Sequence, residues 1–319
     1  MATTVKPGWS KPSTILFASE FPANEKAFAF ALAQAAESNA ELLIFHVYVG
    51  HSPVGRTATR APQGSYATAR SAKLPFEALV QRAHALGVRC SVVVRPGLPA
   101  MEILSFAEAR NVDRLIIGAH TPGPIGKVLV GSVAEQVLRS ATVPVSIVGP
   151  YVVEGAYRNR AAGTILCSVN AHPSSRMVAA FAAELAAHID ARLVVQRVIP
   201  PQETPEVLAT RTLGEVEAEL VAMVPTWVKE KLQAETRVVL GDPTEELLYR
   251  GRKLQASLIV MGAQGASHFA AITRAGVVYK VLAYARCPVV TLSPVMLADY
   301  EANIPAAYVP DVNFLAGVL

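Results

Sequence analysis

The chain has 319 residues, 52% of them hydrophobic and 17% charged, with a formal net charge of +4. That length suggests about two domains of roughly 150 residues each, and the composition excludes a disordered chain. The positive charge is spread along the sequence rather than gathered into a basic run, so nucleic acid is not an expected partner. Cys90, Cys167 and Cys287 lie in or beside apolar segments with no short spacing, which reads as small buried thiols rather than metal ligands or disulfides. No apolar run reaches the roughly 18 residues of a membrane span. Residues 1–11 lack the apolar centre of a signal peptide, and a cytoplasmic location is expected.

Residues 1–12, with Pro7-Gly8 and Pro12, read as a loose arm. Residues 13–19 form a continuous apolar run, the pattern of a strand buried on both faces of a parallel sheet. An alanine-rich helix over 23–37 and a second strand over Glu41–Tyr48 follow. Residues 50–71 are polar, with three arginines, and a connection this long is either functional or mobile. A helix over 74–86, stopped by Gly87, leads to a strand over 88–95, a turn at Arg95-Pro96-Gly97 and a helix over 100–110. Leu115-Ile116-Ile117 is a strand that stops at Gly118. After a loop rich in Gly and Pro, Ser132 is placed as the N-cap of a helix running to Ser140, with Glu135 completing a capping box. The last strand is 143–148. Five strands alternating with four helices make a doubly wound parallel sheet. In the flavodoxin-type order 3-2-1-4-5 the strand order reverses between the first and fourth strands, where ligands of such sheets bind. The loops after Ser19 and Ile117 meet there, beside a helix N-terminus whose unpaired N–H groups favour a phosphate.

After residues 149–163, read as a linker, the pattern begins again. Thr14-Ile15-Leu16-Phe17 is echoed by Thr164-Ile165-Leu166-Cys167. Gly97, Gly118 and Pro144 recur as Gly241, Gly262 and Pro288, all at one offset of 144 (241 − 97, 262 − 118 and 288 − 144). A constant offset across three motifs means one ancestral unit used twice. The expected architecture is therefore α/β, with two tandem five-stranded domains at 13–150 and 163–294 and a tail at 295–319. Their phosphate loops should occupy equivalent places. Each half ends in a short apolar strand, 143–148 or 287–292, and these two edges are expected to pair with each other, since an unpaired edge is a liability. A further homodimer remains compatible with that arrangement.

Two common phosphate loops do not fit. Gly126-Lys127 resembles the end of a Walker A loop, but Thr121 stands where its first glycine belongs and Val128 where its metal-binding Ser or Thr belongs. What Leu115–Val145 does resemble, with Gly118, the pair Gly131-Ser132 and the strand start Pro144-Val145, is the signature of the universal stress protein family, Gly-x2-Gly-x9-Gly-Ser/Thr. Thr121 replaces the middle glycine. The second half keeps Gly262-x2-Gly265 but has Ala275-Gly276 in place of the closing Gly-Ser.

The resemblance implies that these loops wrap the triphosphate and ribose of ATP. It implies an adenosine contact at the end of the first strand, from Glu20 or Ser19 in the first half and Asn170 in the second. It also places the backbone of Val47 beside the base and His120 on the ligand side of the loop. The phosphates are expected on Gly131, Ser132 and Val133, since the second half offers Gly276 without a side-chain donor. A polar residue such as Ser19, Glu20 or Asn170 can equally cap the following helix, and a histidine in a loop can equally be a surface residue. No Ser–His–Asp set, carboxylate pair or metal cluster stands at meaningful spacing, which argues for a binding protein rather than an enzyme. The implied function is a stress protein using an adenine nucleotide as a regulatory ligand. The alternatives are an interaction module without nucleotide, and a slow ATP hydrolase with His120 or Glu20 as its base.

Overall fold

The structure is a computed structural model that describes residues 6–20, 22–48, 74–119, 131–155, 163–224, 232, 234–263 and 276–302. The first half runs α1 (Pro7–Ser10), β1 (Thr14–Ala18), α2 (Glu25–Ser38), β2 (Glu41–Tyr48), a 3-10 turn (Leu74–Phe76), α3 (Glu77–Ala85), β3 (Cys90–Pro96), α4 (Pro99–Ala109), β4 (Arg114–Gly118), α5 (Ser132–Ser140) and β5 (Val145–Val148). The second runs β6 (Thr164–Val169), α6 (Ser175–His188), β7 (Arg192–Ile199), α7 (Thr204–Thr210), α8 (Leu213–Met223), β8 (Glu235–Leu240), α9 (Pro243–Lys253), β9 (Leu258–Gly262), α10 (Val277–Tyr284), β10 (Val289–Leu292) and α11 (Pro294–Ala302). Ten strands form one sheet in the order β3-β2-β1-β4-β5-β10-β9-β6-β7-β8. Each half thus has the order 3-2-1-4-5, with parallel ladders throughout. The one antiparallel ladder joins the halves: Val289 faces Ile147, Val290 faces Ser146 and Thr291 faces Val145.

The strands read as unbroken apolar runs because both faces of the sheet are covered. One face carries a cluster around Phe17, Phe28 and Phe30 that continues into Met177, Phe181 and Leu193 of the second half. The other carries Leu16, Phe45 and Phe106 and continues into Leu247, Leu282 and Val289. The covering helices α2 and α6 present alanines to the sheet, so their backbones lie close and the flanking Phe side chains fill the gaps. A buried Phe contributes about 1.5–3 kcal/mol by leaving water. Helix α2 starts at Asn24, whose side chain accepts from the Ala27 N–H at 3.0 Å, and stops at Asn39 in the left-handed region with φ 53°.

Two expectations are corrected, for the N-terminal arm and for the start of the helix after β4, and the tail gains a definite start. The N-terminal arm is not loose over residues 6–12: Pro7–Ser10 is a helical turn packed on α6. The carbonyl of Trp9 and the Oε1 of Gln34 both accept from the Arg114 guanidinium, which is 1% exposed and lies 5.9 Å from the Phe181 ring centre. Ser10 Oγ donates to Glu184 at 3.2 Å. The tail begins as a helix, Pro294–Ala302, in which Met296 and Leu297 are buried. The helix after β4 takes Gly131, not Ser132, as its N-cap. Glu135 forms no capping box there, because its carboxylate meets Arg139 at 2.8 Å. The loop at 50–71 and residues 303–319 lie outside the described residues. Among the described residues no helix is long and apolar enough to cross a membrane.

All three cysteines are free and buried. Burial pushes the Cys90 thiol up to about 11 and the Cys287 thiol up to about 12, and raises Cys167 as well. All three therefore stay protonated at pH 8, and Ellman's reagent should label none of them quickly in the folded chain but all three in guanidinium. A fast-labelling thiol in the native protein would contradict the packing. Arg114→Ala leaves the Gln34 and Trp9 oxygens without their donor, at about 1–3 kcal/mol for each unpaired group. The urea midpoint should fall accordingly; an unchanged midpoint would mean that the guanidinium holds nothing together.

Candidate functional site

Strands β1 and β4 are neighbours, and the chain leaves them towards opposite faces of the sheet, β1 towards α2 and β4 towards α5. The gap between their carboxyl ends is a cavity of about 720 Å³. Ala18 and Ile117 form its floor, and Phe45, Val47, Pro99 and Ile103 its apolar wall. Its polar rim carries Ser19, Glu20 and Asn24 on one side and the start of α5 on the other. Phe45 is held from behind by Phe106, with ring centres 4.6 Å apart, and Arg95 lies over the far ring at 4.8 Å.

The residues singled out from the sequence fall into place as follows. Ser19 donates its N–H to the Phe45 carbonyl at 2.9 Å and its hydroxyl to the Glu20 carbonyl at 2.8 Å. The Ser19 carbonyl lies 2.9 Å from Nδ1 of His46, a buried residue. Glu20 and Val47 line the cavity. At Gly118 a side chain is excluded by a close approach rather than by a turn: an added Cβ would sit 2.7 Å from both Cβ and Cγ of Asn24. Asn24 joins three elements, since it caps α2 and its Nδ2 donates to the Ala119 carbonyl at 3.3 Å beyond β4. At Gly131 an added Cβ would meet nothing within 4 Å, so the backbone there faces open space. Ser132 and Val133 follow as the first helical residues, and their N–H groups are among those a helix leaves unpaired. Because Gly131 is the cap, the Ser132 hydroxyl is not consumed in capping. His120, Thr121 and Gly265 lie outside the described residues.

In the second half Gly262 ends β9, and Gly276 caps α10 without a side-chain bond. A Cβ at Gly262 would press on Leu297 and Val178 at 3.2 Å. Asn170 is engaged locally: its side-chain oxygen accepts from the His172 N–H at 3.0 Å and from the Ser175 hydroxyl at 2.7 Å, closing the turn into α6. Sequence reasoning did not single out Asn24, Phe45 or Ile103. Asn24 carried a readable signal, an Asn directly before a helix, whereas the other two look like ordinary core. Among the described residues no cluster of three His, Cys, Asp or Glu could hold a metal ion.

The universal stress protein family profile matches residues 13–149 and again residues 162–293. The chain belongs to the universal stress protein family. Two universal stress proteins of Methanocaldococcus jannaschii are similar to it in part. One is 37% identical over 62 residues, 19% of this chain and 36% of that protein; the other is 31% identical over 77 residues, 24% and 48%. The chain thus matches less than half the length of either relative. A universal stress protein structure from Archaeoglobus fulgidus superposes with a TM-score of 0.62 at 17% identity, covering 88% of this chain and 98% of that one, which shows a shared fold. The tandem arrangement of two universal stress protein units follows from the double profile match.

The geometry separates two glycines of the cleft. Gly118→Ala forces a Cβ into Asn24, and overpacking of this kind costs about 1–3 kcal/mol. Gly131→Ala meets only open space. Thermal unfolding should show a melting temperature several degrees lower for the first variant and little change for the second. Equal melting temperatures would mean that Asn24 swings away freely and does not fix the loop.

Proposed function

We propose that this universal stress protein binds an adenine nucleotide, ATP in the first instance, in the cleft of its first half, as a regulatory ligand rather than as a substrate. The observation that supports it best is the 720 Å³ cavity, which places an open helix N-terminus opposite an apolar wall between β1 and β4. The phosphates sit on the N–H groups of Gly131, Ser132 and Val133, where the helix dipole favours negative charge. The Ser132 hydroxyl adds a side-chain donor. Glu20 or Ser19 takes the adenosine end, and the base lies along Val47 and Phe45, whose ring gives a flat apolar surface. The ribose and phosphate contacts of Gly118, His120 and Thr121 follow from the family signature.

In this reading 13–150 and 163–294 work as two units of one internal pseudo-dimer in the cytoplasm. The second unit is the weaker nucleotide site, since Gly276 offers only backbone N–H groups and the side-chain oxygen of Asn170 is tied to His172 and Ser175.

Calorimetric titration of ATP into the full chain tests the assignment. A hydrogen bond to a charged phosphate contributes about 1.5–3 kcal/mol, so Ser132→Ala should weaken binding about tenfold or more. Gly276→Ser restores a donor in the second half and should raise affinity there. Unchanged affinity in Ser132→Ala would place the nucleotide elsewhere. No heat from the native chain, together with no nucleotide released on gentle denaturation, would leave an interaction module without a nucleotide.

A further inference from the structure

A second cavity, of about 510 Å³, lies beside the seam in the second half. Gly163, Ser257 and Cys287, which precede β6, β9 and β10, line it, so it sits at the amino ends of those strands. Val153, Leu248, Ile259 and Ala285 give it an apolar wall. Its rim carries Arg252 and Arg286, both exposed, and neither guanidinium has an ion-pair or hydrogen-bond partner among the described residues. Arg286 is fixed at its backbone, where its carbonyl accepts from the Val153 N–H at 2.9 Å. An apolar hollow of this size with a few charged groups at its mouth has the make-up of a ligand site, for which roughly 300–1,000 Å³ is usual.

The first half shows how the cavity arises. Register fixes the equivalences: Leu115 faces Val145 as Ile259 faces Val289, and α4 and α9 start at Pro99 and Pro243, all at the offset of 144. Thr14 and Thr164 open β1 and β6, so Ser13 corresponds to Gly163. In the first half a carboxylate spans the place before the strands: Asp113 accepts from the Ser13 N–H at 2.8 Å, the Ser13 hydroxyl at 2.7 Å and the Thr14 N–H at 3.1 Å. In the second half both partners are shorter. Ser257 stands for Asp113 and Gly163 for Ser13, and the Ser257 hydroxyl donates to the Thr164 carbonyl at 3.1 Å. Arg252 stands for Glu108 and Arg286 for Thr142. The exchanges at 108, 113 and 142 each make one place more positive while the side chains that would fill it are cut back.

We infer that this cavity binds a small amphipathic carboxylate, with its head between Arg252 and Arg286 and its apolar body along Val153, Leu248 and Ile259. A guanidinium fork matches the two oxygens of a carboxylate. The helices limit the charge of the head. Both α9 and α10 end here, since Gln255 and Ala285 follow their last turns and line the cavity. A helix C-terminus carries about half a negative charge, so two of them set against two guanidiniums leave the rim with roughly one positive charge. A doubly charged phosphate is seated best on a helix N-terminus, and this cavity offers it C-termini. Glu154 stands between the lining residues Val153 and Gly155 without lining the cavity itself, and it adds to the preference for a single negative charge.

Calorimetry of the full chain with octanoate tests this, with octan-1-ol, acetate and inorganic phosphate as separate titrants. The expected result is one octanoate per chain, at least tenfold tighter than any of the other three, and undiminished by saturating ATP or by Ser132→Ala. Arg252→Ala and Arg286→Ala should each weaken it several-fold, and the double variant at least tenfold, with an unchanged circular dichroism spectrum because both side chains are exposed. No octanoate binding by the native chain, equal affinity for octan-1-ol, tighter binding of phosphate, competition with ATP, or full octanoate affinity in the double variant would each overturn the inference. The ATP titration reads the first cleft alone. Failure there with octanoate still bound would reject the nucleotide assignment and keep this one.

Discussion

The β5–β10 ladder is the contact on which the rest of the molecule depends. Each half ends in a strand of four residues, all buried. Left alone, either would be an apolar sheet edge open to pairing with another chain. Paired antiparallel, they turn two sheets into one and leave β3 and β8 as the outer edges. Side chains reinforce the backbone ladder: Thr291 donates to the Val145 carbonyl at 3.3 Å, and Ser293 donates to the Ala141 carbonyl. Because the seam is antiparallel while every other ladder is parallel, the carboxyl ends of β4 and β9 point in opposite directions. The carboxyl ends of the two half-sheets, where the first half has its cleft, therefore face opposite ends of one sheet. Each was free to change its lining without disturbing the other.

That freedom explains why the backbone plan is kept and the chemistry is not. The plan is enforced by packing: Gly97 and Gly241 sit at φ 145° and 156° before equivalent helices, and each half repeats the Pro-started helix that follows. A Cβ at either position would also crowd the glutamate one turn on, Glu102 or Glu246. The cleft lining answers to no such constraint. Ala18 and Phe45 line the first cleft, and β6 and β7 carry Ser168 and Gln196 at the same register positions with the same fold.

Much of the fold was legible because burial on both faces writes a strand as an unbroken apolar run. Thr14-Ile15-Leu16-Phe17 and Leu115-Ile116-Ile117 could hardly be read otherwise, and the offset of 144 gave the duplication. What escaped the sequence were contacts made by residues far apart in it. Pro7-Gly8 looked like a loose arm because nothing local shows that Trp9 and Ser10 meet Arg114 and Glu184, more than 100 residues away. Ser132 looked like an N-cap because Ser is a good one, yet the extended residue before the helix is Gly131, with ψ 157°. At Gly118 the sequence showed a glycine but not its reason, which is the side chain of Asn24. Phe45 was invisible as a cleft residue because a strand that is apolar throughout does not reveal which of its side chains borders a cavity.

Helix α5 ties the candidate site to the seam. It begins at Ser132 on the cleft rim and its C-cap, Ala141, receives the Ser293 hydroxyl of the other half. At 1.5 Å per residue its nine residues span about 13 Å, so the two ends are joined by a single rigid element. Its inner face, Ala134, Val137 and Leu138, is buried against the sheet and permits little sliding. Its other neighbour across the seam is α11, which packs against it through the start of the tail. The partner helix α10 meets the first half in a comparable way, because Gly149 approaches the Leu282 carbonyl so closely that a Cβ would stand 2.7 Å from it. A charge placed at the N-terminus of α5 therefore acts on an element whose far end is bonded to the other half. A shift of that helix along its axis would have to break the Ser293 bond or move both halves together. The bond that joins Ser293 to Ala141 thus ties the helix on the cleft rim to the other half.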